Sequence, residues 1–105
     1  MIFYHRTSTA RKILREGFRS VTWQVGDQTF RGIWISNRPL KTNDDEKGDE
    51  LLEIILDPEQ CQLDRFELGD KGKFYREWCV PASILNTYSR VRLVPWHEQR
   101  SLGIE

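Results

Sequence analysis

His5, Thr7 and Ser8 lie within four residues of one another, between the apolar run at 1–4 and the segment Ala10-Arg11-Lys12-Ile13-Leu14. Where a strand gives way to a helix, the first backbone amides lack partners and attract anions. A phosphate or a polar ring substituent is therefore the ligand expected beside this imidazole and these two hydroxyls. Each residue also has an ordinary explanation: His5 as a structural histidine, Thr7 or Ser8 as a helix cap. Glu77 is the second candidate, a carboxylate set between Tyr75 and Trp78. A carboxylate among aromatic residues either faces solvent or is held in a site at an energetic cost. No cysteine or serine is placed to complete a nucleophile–base pair with them. Cys61 and Cys79 show neither a metal spacing nor a disulfide framework, so no metal is expected.

The elements that must position these residues follow from periodicity. Residues 1–5 read as a buried strand. Ala10, Ile13, Leu14 and Phe18 recur at helical spacing and predict about two turns of helix with one stripe on the core. Gly17 is suited to stop that helix in a left-handed conformation. Two strands, 21–25 and 29–36, flank Gly26-Asp27, a hairpin signal, and Trp34 on the second reads most simply as a core residue. Residues 41–50 contain no apolar side chain and read as a surface loop. The most apolar run, 51–56, predicts a central strand covered on both faces. Residues 61–68 are ambiguous, and 69–72 read as a turn. A strand is predicted at 74–80, with Trp78 and Val80 on one face and Tyr75, Glu77 and Cys79 on the other. One helical turn follows Pro81, then a last strand at 88–95. One early helix and many short strands imply an α+β fold with a mostly antiparallel sheet.

At 105 residues the chain makes one domain, 1–105. No apolar run is long enough to span a bilayer, no secretory signal is visible, and a cytoplasmic protein with reduced thiols is expected. The net charge of zero conceals an asymmetry. Residues 1–40 carry seven Lys/Arg against Glu16 and Asp27, a balance of +5, and the remainder carries −5. A basic half can attract a phosphate-bearing small molecule or a nucleic-acid backbone, or simply solvate a helix face. A long nucleic acid would be repelled by the acidic half.

Taken in order, these motifs resemble the ADP-ribosyltransferase fold family. Tyr4-His5-Arg6-Thr7-Ser8 followed by Ile13-Leu14-Arg15-Glu16-Gly17-Phe18 resembles its opening strand, histidine and glycine-ended helix. Gly32-Ile33-Trp34-Ile35-Ser36 resembles its second motif. The segment around Glu77, running into Pro81 and Ile84-Leu85, resembles its last, which carries a catalytic glutamate. The resemblance implies a split, mostly antiparallel sheet with one N-terminal helix and short helical turns. It also implies NAD as substrate, with ADP-ribose passed to a macromolecular acceptor (protein or nucleic acid) or NAD hydrolysed.

By that resemblance His5 bonds a ribose hydroxyl of NAD, and Arg6, Thr7 and Ser8 lie beside the nicotinamide. Trp34 forms an apolar wall, with Ser36 closing the same motif. Glu77 stabilises the oxocarbenium-like sugar as nicotinamide leaves, since fixed negative charge near developing positive charge lowers the barrier. Arg6, Arg11 and Arg31 are the candidates for the diphosphate. Two departures stand out. Arg6 occupies the position where many relatives carry glycine, and the tyrosine that usually stacks on nicotinamide is absent. An RNA 2′-phosphotransferase, from a related branch, and a catalytically inactive nucleotide- or protein-binding module are the competing readings.

Overall fold

In the computed structural model, which describes residues 1–39, 50–69 and 75–101, Phe3 and Trp78 meet edge to face with centroids 5.0 Å apart. They lie on the main buried face of a seven-stranded sheet. Its strands are β1 (Ile2–Thr7), β2 (Val21–Val25), β3 (Gln28–Ser36), β4 (Glu50–Ile55), β5 (Glu67–Leu68), β6 (Glu77–Val80) and β7 (Arg90–Val94). Helices α1 (Ala10–Glu16), α2 (Ala82–Tyr88) and α3 (Trp96–Ser101) and one 3-10 turn complete the described elements. The strand order is β5-β6-β3-β1-β4-β7, with β2 paired to β3, and each recorded pairing is antiparallel. The fold is a small α+β domain with a mostly antiparallel sheet.

Strand alternation explains the two faces. Phe3, Ile33, Ile35, Leu52, Ile54, Trp78 and Val80 share one, and Ala10 and Phe18 around α1 and Leu85 of α2 pack on it. Tyr4, Leu51 and Val94 form a smaller buried cluster on the other. Residues 51–54 are all buried, so β4 is covered on both faces, as the most apolar run of the chain predicts. One polar residue interrupts that run. Glu53 is bonded through both carboxylate oxygens by Arg92 at 3.0 Å, and Arg92 also reaches Glu98 of α3 at 2.9 Å. These carboxylates hold the Arg92 guanidinium charged. Burial first, and Glu53 second, push the neighbouring Tyr4 phenol above its ordinary value.

One junction is narrow. β1 follows β4 through six register pairs, from Ile2↔Ile55 to Thr7↔Glu50, but meets β3 at Tyr4↔Ser36 alone. The sheet is therefore two ladders joined at a seam between β1 and β3.

Several expectations are corrected. Leu14 is 44% exposed, because a two-turn helix can turn only a narrow stripe inward. Neither Thr7 nor Ser8 caps α1: the cap position is Thr9, whose side chain makes no capping bond, and Thr7 is still in β1. Gly17 ends the helix with φ +89° and donates to Ile13 O at 2.7 Å. Asn86 then brackets Phe18, accepting from its N–H at 2.7 Å and donating to its carbonyl at 2.9 Å. The strand bearing Glu77 begins only at Glu77, and Phe74 lies outside the described residues. Tyr88 ends α2 rather than starting β7. Helix α3 was not expected; Pro95, whose carbonyl accepts from Glu98 and Gln99, starts it. The ambiguous stretch 61–68 contains a 3-10 turn, Leu63–Phe66, and the short β5. The predicted loop and turn, apart from Glu50 and Gly69, lie outside the described residues.

At the edge, Arg76 bonds both carboxylate oxygens of Glu67 and holds that carboxyl below its ordinary value. The contribution is complete above the unfolded-state pKa and fades as pH falls through the lowered folded-state value. Glu67→Gln is thus expected to shrink, slightly, the loss of thermal stability between pH 7 and pH 3. An unchanged loss on thermal unfolding would show that this exposed pair contributes nothing.

Candidate functional site

A cavity of about 390 Å³ opens where the end of β1, helix α1 and the β2–β3 hairpin converge. That volume falls within the range of small-molecule sites. Of the residues singled out in the sequence, His5, Arg6, Thr7, Ser8 and Trp34 line it. His5 is fixed across the seam: its Nδ1 lies 2.7 Å from the carbonyl oxygen of Trp34. A carbonyl only accepts, so Nδ1 carries the proton, and in the neutral ring Nε2 is then an acceptor. The imidazole also meets Phe18, centroids 6.0 Å apart. The Thr7 hydroxyl accepts from the Thr9 N–H at 3.1 Å and shares a hydrogen bond with the Thr9 hydroxyl at 3.0 Å. These threonines shape the turn into α1.

The β2–β3 side of the cavity is aromatic. Trp34 takes the edge contacts of Trp23 and Phe30, with centroids 5.9 and 6.1 Å away. Trp23 lines the cavity, donates its indole N–H to Gly32 O at 3.4 Å and remains 42% exposed. Trp34 keeps its own indole N–H buried without a hydrogen-bond partner among the described residues, a donor in want of an acceptor.

The charge of the cavity is mixed: the Glu16 carboxylate lines it together with three cations, two of which carry no local signal. Lys12 and Arg19 line it, and neither makes a hydrogen bond or ion pair among the described residues. Arg6 also lines it, but sends a guanidinium N–H to Gln99 Oε1 at 3.4 Å. Arg11 is engaged by Glu50 at 3.5 Å, and Arg31 donates to the Thr22 hydroxyl at 3.3 Å. Neither Arg11 nor Arg31 lines the cavity. A broader hollow near Phe3 and Trp78, about 570 Å³, contrasts with it: there Arg76 is paired with Glu67, and Arg65 lies over the Phe66 ring.

Ser36 and Glu77 are not brought to the cavity. Glu77 pairs with Ser36, which pairs with Tyr4, so these three side chains share a face. His5 is the next residue along β1 and points to the other face. Ser36 is buried and donates its hydroxyl to Arg38 O at 2.6 Å. Neither cysteine is an activated nucleophile, since burial pushes both thiols up. Among the described residues no three His, Cys, Asp or Glu side chains come together as a metal site, and no helix is long and apolar enough to cross a membrane. No protein-family model, curated protein or solved structure matches the chain.

Proposed function

We propose that the protein is an ADP-ribosyltransferase-like domain that binds NAD in the His5 cavity and transfers ADP-ribose to a macromolecule or hydrolyses NAD. The observation that carries this reading is His5 itself. It stands at the narrow seam between β1 and β3, facing a cavity walled by Trp34 and edged by Lys12 and Arg19. A seam held at one register pair supports the split sheet that the resemblance implies. His5 would bond a ribose hydroxyl, the two cations would meet the diphosphate by charge-assisted hydrogen bonds, and the indoles would flank a planar ring. Exclusion of water by these walls would strengthen each polar contact.

The register of Glu77 favours a second reading, in which the same cavity binds the nucleotide without turning it over. Free nicotinamide released from NAD and the shift in melting temperature with NAD separate the two. Under the first reading nicotinamide accumulates. Under the second no nicotinamide appears, yet NAD still raises the melting temperature. His5→Ala is expected to remove most of that shift while costing about 1 kcal/mol of stability, one hydrogen bond's worth. A fold that collapses on this substitution would make His5 structural, and a wild-type protein unmoved by NAD would sink both readings.

A further inference from the structure

Three features lie at the cavity or next to it on α1. Lys12 and Arg19 are cations without a partner among the described residues. Arg11 and Arg15 stand one turn apart on the adjoining row of α1 and are 77% and 74% exposed, although Glu50 and Glu16 lie 3.5 Å away. Trp23 leaves 42% of its surface to solvent at the mouth of the same cavity. Its contact with Trp34 and its bond to Gly32 O hold the ring in place.

We infer that this surface docks a short single-stranded nucleic acid, its phosphates along Lys12, Arg19 and the arginine row of α1 and one base stacked on Trp23. The charge fits: residues 1–40 carry a balance of +5, and these cations belong to it. Cations beside an exposed aromatic platform are what a single strand needs, because each base offers a face for stacking whatever its identity. An acidic peptide would use the cations but leave the indole idle. A duplex hides its bases from Trp23, and a long strand would meet the −5 balance of the remaining residues. The docking goes beyond the NAD reading and stands without it.

Fluorescence anisotropy with end-labelled eight-nucleotide single strands tests the inference, on the full chain and without NAD. Binding is expected to weaken with salt, with a log–log slope near −2, about −0.7 for each of three phosphates. The double substitution Lys12→Glu/Arg19→Glu should weaken binding at least about tenfold and flatten the slope, both charges having been reversed. Trp23→Ala should weaken it about tenfold or more, while Trp23→Phe, which keeps a stacking face, retains most of it. Each variant is checked for an unchanged thermal transition, and Trp23→Phe keeps the test decisive if Trp23→Ala fails to fold. The inference is overturned if the single strand does not bind, if Trp23→Phe and Trp23→Ala bind as well as each other, or if polyglutamate competes as strongly as the oligonucleotide. An oligonucleotide that fails while NAD shifts the melting temperature sinks only this inference, and the converse pattern sinks only the NAD reading.

Discussion

Gly32→Ala is expected to lower the melting temperature by roughly 10–20 °C, from a loss of about 2–4 kcal/mol. Gly32 has φ +153°, and an added Cβ would sit 2.6 Å from the Val80 carbonyl oxygen and 2.9 Å from its carbon. Both atoms are backbone on the neighbouring strand β6, so no rotamer change relieves the clash. Relief requires β3 and β6 to move apart, and the pairs Ile33↔Val80 and Ile35↔Trp78 carry a large part of the buried face. Gly32 also borders the cavity and supplies the carbonyl that accepts from Trp23. The surviving folded fraction should therefore bind cavity ligands more weakly. Thermal unfolding followed by circular dichroism reads the first effect. A transition within a few degrees of wild type would mean that the two strands can part without cost.

Arg92→Met is expected to cost about 1.5–3 kcal/mol. Glu53 lies in the covered strand β4, with 10% of its side chain exposed, and Arg92 satisfies both of its carboxylate oxygens. Removing the guanidinium strands a nearly buried carboxylate, which costs about 3–5 kcal/mol in a fully buried pair. Here the Arg92 side chain is itself 48% exposed, so water screens part of the loss and the lower range follows. Arg92 is also a link to α3 through Glu98, so the C-terminal helix should loosen as well. A double-mutant cycle isolates the pair: Glu53→Leu/Arg92→Met should recover most of the stability lost by Arg92→Met alone. A double variant no more stable than the single one would show that the loss arises in the contact with α3.

Much of the architecture was legible because strand and helix periods are local. The alternation in 29–36 and the strongly apolar run at 51–56 mark β3 and β4 nearly to their ends, and Gly26 occupies its hairpin turn with φ +60°. Helix α3 has no such local signature, because its sequence, Trp96 to Ser101, shows no apolar stripe; it is held by Arg92 and by Gln99, which donates to Val94 O. The site divides in the same way. His5, Thr7 and Ser8 stand out because they share a compact elbow between a strand and a helix, whereas Arg6 and Trp34 enter only through the family resemblance. Trp23 carries no local signal, since nothing in the sequence distinguishes a buried indole from one left at a cavity mouth. Lys12 and Arg19 look no different in sequence from Arg11, and only their neighbours separate the two engaged arginines from the two open cations.

By itself, the sequence determined the α+β class, the order of most elements, the two faces of each strand and the concentration of basic charge in the first 40 residues. These follow from side-chain periodicity and composition, which act over a few residues at a time. The tertiary structure decided register. Tyr4↔Ser36 and Ser36↔Glu77 carry Glu77 to the face opposite His5, whereas the imidazole crosses the seam to Trp34. A shift of one residue in a ladder exchanges the faces, and no local pattern records which residue of one strand meets which of another.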